Sequence, residues 1–380
     1  MTSDRELLEP LRADLDRCNK CGFCMAGCPT YRAGGQLEWL VTRGRVSLLQ
    51  DALAGTISLA DAAPGVDTCL LCNACMEHCP PEVPITRLVT GARAAMLVGK
   101  PLPAAARFVL RRLLPNPRLL RFVAKAGSVG ERLGLRKAAA PFLKRWPVLD
   151  RANRTGPRLP GVSARDLLRG EPLKPAEGPV KARVAYFISC TKEVAHPRAA
   201  LAAVRVLVAA GCEVVLPDMG CCGLPSYSAG DLEHAGQVGE RQRQVLGALD
   251  VDAIVADDGS CVHHLNTYLP VKEFSTFLAE LGLPEPKVRL EKRVTWHDPC
   301  SLKHGMNVWA TPRQLIRAIP GVQYVEAADA DVCCGGAGSF MLTQPELSDK
   351  ILEIKTAAFK GTGAELVVTS SPSCLIQLGR

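Results

Sequence analysis

The chain has 380 residues, of which 22% are charged and 47% hydrophobic, with a formal net charge of +8. This is enough for two or three domains of roughly 100–200 residues with real cores, which excludes intrinsic disorder and collagen-like repeats. No run approaches the roughly 18–20 uninterrupted apolar residues of a membrane-spanning helix, and the segment from Met1 to Pro10 is too acidic for a secretory leader. A soluble, cytoplasmic protein is expected.

Seventeen cysteines organise the rest of the reading: eight lie in two tight clusters, eight in two looser sets, and Cys212 is left over. An odd, clustered set points to metal thiolates rather than disulfides. The first cluster is Cys18-x2-Cys21-x2-Cys24-x3-Cys28-Pro29, and it recurs as Cys69-x2-Cys72-x2-Cys75-x3-Cys79-Pro80. Three thiolates at three-residue intervals cup one iron-sulfur cube, while the fourth points away and ligates the other cube. One [4Fe-4S] cluster is therefore assigned to Cys18, Cys21, Cys24 and Cys79, and a second to Cys69, Cys72, Cys75 and Cys28. Zinc more often takes two Cys-x2-Cys pairs set well apart, a pattern these complete four-cysteine runs do not fit. His78, beside Cys79, reads as a hydrogen-bonding neighbour of the cluster rather than a ligand. Forty residues separate Cys28 from Cys69, and the composition from Leu37 to Leu53 predicts a helix. Residues 1–99 thus read as a helical ferredoxin domain suited to one-electron relay.

Composition shifts at Lys100. Nineteen Lys and Arg stand against five Asp and Glu from there to Lys181, so the positive balance comes entirely from this segment. Its basic residues alternate with Phe108, Leu110, Leu113, Leu114, Leu119, Leu120, Phe122 and Trp146, which predicts short amphipathic helices broken by Pro115, Pro117, Pro141 and Pro147. Such a face suits an anionic membrane leaflet or an acidic partner; the plainer reading of 100–181 is a basic linker whose apolar side packs on its own domains. No nucleic-acid recognition motif accompanies the charge.

Beyond Lys181 the chain repeats itself. Cys190, Cys221-Cys222-Gly223 and Cys261 are followed at offsets of 110, 112, 112 and 113 by Cys300, Cys333-Cys334-Gly335 and Cys374. A near-constant shift means a duplicated domain, 182–283 and 284–380. In the first copy, strands are expected at Val184–Ile188, Val214–Leu216 and Ala253–Ala256, with Leu201, Val204 and Val208 on one helical face. In the second, strands are expected at Val294–Trp296, Val322–Val325 and Leu366–Val368, a helix over Gln314–Ile319, and a helical face carrying Leu347, Ile351 and Ile354. Strands alternating with helices make parallel sheets, and cysteines just past strand ends gather at the carboxyl edge, where such sheets hold ligands. The fold class is α+β multidomain: a helical two-cluster ferredoxin domain followed by a duplicated α/β domain. Adjacent cysteines address different metal ions, and the glycine after them allows close backbone approach.

These Cys-x30-Cys-Cys-Gly and Cys-x32-Cys-Cys-Gly patterns resemble the cysteine-rich CCG domains of heterodisulfide reductase subunits and of 2-hydroxy-acid oxidase iron-sulfur subunits. With Cys21-Gly-Phe-Cys-Met-Ala-Gly-Cys-Pro-Thr-Tyr31, Arg43-Gly-Arg45, His297-Asp-Pro-Cys300, Cys333-Cys-Gly-Gly-Ala-Gly338 and Thr343-Gln-Pro-Glu346, the chain most resembles the glycolate oxidase iron-sulfur subunit family. The resemblance spans nearly everything except the basic segment. It implies metal binding at Cys190, Cys221, Cys222 and Cys261 and at Cys300, Cys333, Cys334 and Cys374, with an additional iron-sulfur cluster at one or both sites. Two departures bear on this. The family motif ends in Cys-x2-Cys, but its first position is Asp258 in one copy and Ser371 in the other, so each site offers four cysteines rather than five. An ordinary cluster, a degenerate site and reversible thiol chemistry all stay open, and Asp258 is not expected to be a ligand. The resemblance also leads one to expect a further helix after Cys374.

Five histidines lie near these cysteines: His196, His263, His264, His297 and His304. His297 and Asp298 match the family motif and have the chemistry to tune a cluster or shuttle a proton, with a structural role the equally weighted alternative for His297 and the expectation for the others. Cys212 reads as a small buried apolar residue. No Ser-His-Asp grouping, Walker loop or dinucleotide fingerprint is present, so the chain is expected to receive electrons rather than hold its own flavin or nicotinamide. The resemblance implies an electron-transfer subunit of a 2-hydroxy-acid dehydrogenase of glycolate or lactate type. It would pass electrons from an FAD-linked partner to a quinone or other carrier, with peripheral contact at the inner face of the cell membrane. The alternative expectation is a heterodisulfide reductase-like catalytic subunit. A third has zinc in the CCG sites and the basic segment as a docking platform.

Overall fold

The computed structural model describes residues 3–283, 285–286 and 288–380. Met1 and Thr2, the start of the acidic N-terminus, and Pro284, the first residue of the expected second repeat, lie outside the described residues, as does Lys287. No helix among the described residues is long and apolar enough to cross a membrane.

The N-terminal region is helical, with Asp4–Leu8, Thr42–Ala54, Leu59–Asp67 and Ile85–Gly99 as its principal helices. Leu8, Leu15, Val46, Leu49, Leu88 and Val89 are fully buried between them. The helix expected from Leu37 instead begins at Thr42, after a 3-10 turn at Glu38–Leu40. Val41 is extended, with φ −113° and ψ 163°. The break lets Val41 pack with Cys24 and Cys28, and Gly44 lies so close to the turn that a Cβ there would sit 2.1 Å from the Glu38 carbonyl oxygen.

The basic segment forms helices Ala104–Phe108, continued by a π-turn at Val109–Leu113, then Pro117–Arg132, Leu135–Leu143, Pro147–Thr155 and Ala164–Leu168. Pro117 and Pro147 open their helices, where the missing N–H costs nothing. Pro141 does not act as a break: it lies inside Leu135–Leu143, which ends two residues later. Nor does the segment pack by its apolar side alone. Arginines dock it: Arg111 on Asp231, Arg121 and Arg165 on Asp218, and Arg151 on Asp349. Phe122, Leu133, Leu135, Phe142 and Trp146 meanwhile face solvent, each more than half exposed.

Two parallel sheets follow. The first comprises β1 (Ala182–Phe187), β2 (Cys212–Val215), β3 (Ala253–Ala256) and β4 (Lys272–Glu273) in the order β2-β1-β3-β4. The second comprises β5 (Arg293–Trp296), β6 (Gln323–Tyr324) and β7 (Leu366–Val368) in the order β6-β5-β7. β5 stands to its sheet as β1 stands to the first: central, flanked on both sides by parallel partners. β4 has only two paired residues, too short for an alternation signal, and β6 is likewise shorter than expected. The helix Pro197–Ala209 buries Ala200, Ala203, Val204 and Leu207, leaving Leu201 and Val208 at the margin, because alanines allow the closest approach to the sheet. The expected Gln314–Ile319 helix runs instead from Ala310 to Arg317. The expected Leu347-Ile351-Ile354 face lies on the helix Pro345–Lys360.

Candidate iron-sulfur centres

The two ferredoxin runs fold alike. Lys20 and Gly22 in the first, and Leu71 and Asn73 at the same places in the second, all have positive φ (59°, 86°, 55° and 63°). Left-handed backbone is unfavourable for Lys and Leu, and such strain persists only where the surroundings impose it. Here it winds each loop about a centre, ending in the 3-10 turns Phe23–Met25 and Ala74–His78.

Each loop supplies three cysteines to its own cavity and one to the other's. Cys69, Cys72 and Cys75 line a space of about 310 Å³, counting its open mouth, together with Cys28. Cys18, Cys21 and Cys24 line a space of about 290 Å³ together with Cys79. The loops touch where Gly27 meets the second turn: a Cβ there would lie 2.7 Å from the His78 ring and 2.9 Å from the Ala74 carbonyl oxygen. His78 thus packs over Gly27 at the rim of the first cavity.

The donor chemistry fits an anionic metal cluster. Burial pushes the Cys75 thiol up to about 12 and the Cys72 thiol well above the ordinary value, so these sulfurs stay protonated unless cationic metal compensates them. Arg45 lines the cavity of Cys69, Cys72, Cys75 and Cys28, is 2% exposed, and has no carboxylate partner among the described residues. It donates to the Gly65 carbonyl (2.7 Å), Thr30 Oγ1 (3.0 Å) and the Thr68 carbonyl (3.2 Å). A guanidinium buried without an anion is costly, and a negatively charged cluster beside it removes the cost.

Each sheet presents a cysteine set at its carboxyl edge. In the first, Cys190 opens the helix after β1, Cys221-Cys222 precede Gly223 (φ 100°), and Cys261 lies on the helix Gly259–Leu265. Asp258 caps that helix, one oxygen accepting from the Ser260 N–H (3.2 Å) and the other from the Cys261 thiol (3.7 Å). In the second, Cys300 opens the helix after β5, Cys333-Cys334 precede Gly335 (φ 81°), and Cys374 lies on Pro372–Leu378. Ser371 instead pairs its hydroxyl with Ser373 (3.0 Å). Neighbouring sulfurs and burial push Cys190, Cys221, Cys222, Cys300, Cys333 and Cys334 well above the ordinary thiol value, again demanding a cation.

The three regions meet. Cys72, Leu70 and Ala74 share a buried apolar cluster with Cys333 and Phe340, and Cys300 packs against it. Glu77 on the second ferredoxin turn pairs with Lys303 Nζ (3.2 Å) and His304 Nδ1 (2.9 Å) on the helix that Cys300 opens. The two cysteine-rich domains touch through Ser260 and Ser301, whose hydroxyls lie 3.3 Å apart.

Residues 14–83 match the 4Fe-4S dicluster domain family, and residues 184–266 and 294–379 each match the cysteine-rich domain family. The chain is similar to a probable glycolate oxidase iron-sulfur subunit of Bacillus subtilis (strain 168), at 31% identity over 96% of this chain and 88% of that protein. The chain belongs to the glycolate oxidase iron-sulfur subunit family. It is similar also to the glycolate oxidase iron-sulfur subunit of Escherichia coli (strain K12), at 28% identity over 98% of this chain and 92% of that protein. Lactate utilization protein A 1 of Bacillus mycoides is 28% identical over 52% of this chain and 88% of its own length. No solved structure matches the chain.

Within this iron-sulfur subunit family framework, the histidines separate. His304 is tied to Glu77 and the Asp331 carbonyl (3.0 Å), and His263 packs on Gly305. His264 sits between Tyr227 and Tyr268 near Gly223, and burial pushes its imidazole down to about 4. His196 is half-buried, its Nε2 without a partner. Asp298 accepts hydrogen bonds from Arg313 (2.6 and 2.8 Å) and from the Trp296 ring (2.8 Å). His297 is fully buried, and neither ring nitrogen makes a well-formed hydrogen bond among the described residues; the Ala330 carbonyl acts on the ring only weakly. Burial, then the nearby Lys355, holds its imidazole well below the ordinary value and therefore neutral. Its ligating atom lies within 4.8 Å of those of Cys334 and Cys374, which also lie within that distance of each other. Cys212 is fully buried in the first sheet's core, its thiol pushed up to about 11 by burial.

Arg45 and the left-handed positions were not singled out by reasoning from spacing. A lone arginine inside a helical stretch looks like a solvated face, and only its place in the Arg43-Gly-Arg45 motif marked it.

Proposed function

We propose that this chain is the electron-carrying subunit of a 2-hydroxy-acid dehydrogenase complex of glycolate or lactate type. It takes electrons from an FAD-linked partner that oxidises the hydroxy acid and delivers them to a quinone or other carrier. On this reading Cys18, Cys21, Cys24 and Cys79 hold one [4Fe-4S] cluster and Cys69, Cys72, Cys75 and Cys28 the other, within a unit spanning 1–99. Such clusters supply reversible one-electron storage. The repeats 182–283 and 284–380 hold further metal at Cys190, Cys221, Cys222 and Cys261 and at Cys300, Cys333, Cys334 and Cys374.

The observation that carries the reading is the shared packing of Cys72 with Cys333 and Cys300, which brings the ferredoxin loops directly against the second cysteine-rich site. A chain built only to store metal has no need of that adjacency, whereas an electron path does. The names of the two glycolate oxidase subunits and of lactate utilization protein A 1 support the substrate class. Replacement of the fifth cysteine by Asp258 and Ser371 weighs against a heterodisulfide reductase-like catalytic role.

The basic segment 100–181 supports a place at the membrane surface. Phe122, Leu133, Phe142 and Trp146 are more than half exposed, among the basic residues Arg118, Lys125, Lys144 and Arg145. Apolar side chains that enter the interface, with cations at the headgroups, are how peripheral helices bind anionic lipid.

The test is replacement of Cys24 or Cys75 by Ser in the assembled complex. Hydroxy-acid-driven flavin reduction should persist while acceptor reduction falls at least tenfold; undiminished acceptor reduction refutes the reading.

A further inference from the structure

We propose that His297 is a metal ligand of the second cysteine-rich site, a nitrogen donor beside its four cysteines. The inference rests on the reading that this site holds an iron-sulfur centre, and it goes on to say which atom completes it.

Three independent observations converge. His297 is wholly buried, neither of its ring nitrogens makes a well-formed hydrogen bond among the described residues, with only the Ala330 carbonyl acting weakly on the ring, and its ligating atom lies within 4.8 Å of those of Cys334 and Cys374. The imidazole thus lies near enough to these two thiolates to be the donor for one iron of a centre whose other irons the cysteines hold.

The duplication supplies a control. The offset of 110 that relates Cys190 to Cys300 places Phe187 where the second copy has His297. Phe187 is buried as well, so the fold at this point accepts a plain aromatic ring. An imidazole there is not required for packing, and its nitrogens need another explanation. A further observation concerns position 371. Ser371 bonds Ser373, so the site has four cysteines and room in its ligand set for a nitrogen. The first copy also has four cysteines but no imidazole: Phe187 takes the place of His297, and Asp258, at the position of Ser371, caps a helix. The two sites are thus chemically unlike, one offering sulfur with a nearby carboxylate and the other sulfur with nitrogen.

Nitrogen ligation has an electrical consequence. A neutral imidazole in place of an anionic thiolate lowers the negative charge on the centre and raises its reduction potential. The second site, which abuts Cys72, is then the place where an electron leaving the ferredoxin loops is held most firmly.

The experiment uses the full chain purified without oxygen, with iron counting, redox titration and pulsed EPR of the reduced protein. The wild type should show a strong nitrogen coupling from directly bound imidazole, and His297→Gln should lose it. Ser371→Cys restores a thiolate without deleting any side chain needed for folding. It should keep its iron, weaken the nitrogen coupling and lower the midpoint potential of that centre. No strong coupling in the wild type, a coupling that survives His297→Gln, or a midpoint unmoved in Ser371→Cys overturns the proposal. Iron content separates the two levels of failure. Roughly eight irons per chain, the content of two cubes, removes the centre from the second site and with it the underlying reading. More iron without nitrogen coupling removes only the ligand assignment.

Discussion

Arg45 has no carboxylate partner among the described residues, yet its guanidinium lies at the wall of the cavity formed by Cys28, Cys69, Cys72 and Cys75. Its hydrogen bonds, from Nε and Nη2, go to neutral oxygens and leave the charge uncompensated. Arg45→Met should therefore lower the midpoint potential of the cluster in that cavity by tens of millivolts, because a nearby positive charge favours the reduced, more negative state. Arg45→Lys should recover part of the shift; redox titration followed by EPR measures both. At this scale the sequence was unevenly legible. Ligand cysteines declare themselves because a metal cluster demands fixed spacing, and the exchange of Cys28 and Cys79 follows from it. The strained backbone at Lys20 and Leu71 carries no such mark, since neither residue type favours positive φ and the surrounding loop alone imposes it.

Between elements, the closest approach of the two ferredoxin turns is at Gly27. Gly27→Ala sets a Cβ against the Ala74 carbonyl, a backbone atom that cannot swing aside as a side chain does. The variant should lose the absorbance of both ferredoxin clusters near 400 nm while circular dichroism retains the α/β signal of the sheets. The basic helices show how composition misleads. Charge alternating with apolar residues predicts an apolar side turned inward, and Leu114 and Leu120 do pack inward, but arginines such as Arg121 and Arg151 also dock on carboxylates while Phe122, Phe142 and Trp146 turn out. Arg121 holds Asp218 below the ordinary carboxylate range against burial, and Arg165 assists. Burial pushes Asp349 up, but Arg151 and Arg380 outweigh it and hold it below as well. Carboxyls lowered in this way contribute stability above their unfolded value of about 4, and lose it as pH falls through the lowered folded value. Hydrogen exchange of residues 117–155 should thus be unaffected by the charge state of these groups between pH 8 and 5. Asp218→Asn with Asp349→Asn should accelerate it at neutral pH. If the apolar side meets lipid, the chain should co-float with vesicles containing anionic phospholipid, and Phe122→Ser with Phe142→Ser should reduce the bound fraction several-fold.

Across the whole molecule, the ferredoxin loops rest on the second cysteine-rich domain through Cys72 with Cys333 and through Glu77 with Lys303 and His304. Lys303→Glu places like charges together at that seam. Electron arrival at the second site should slow several-fold in stopped-flow measurements while reduction of the ferredoxin clusters keeps its rate. The duplication and its parallel sheets were readable because strand and cysteine recur at a nearly constant offset. Which copy faces the ferredoxin loops was not readable, because it depends on contacts such as Leu70 with Phe340 that have no local pattern.

The crossing of Cys28 and Cys79 into each other's cavities also governs how the protein fails. On the proposed ligand assignment, oxygen that dismantled one cube would unlatch a thiol borrowed from the opposite loop, and the second cube would be left missing a corner. Damage should spread as a pair, so that a population aged in air sorts into brown and bleached molecules with few half-emptied ones between.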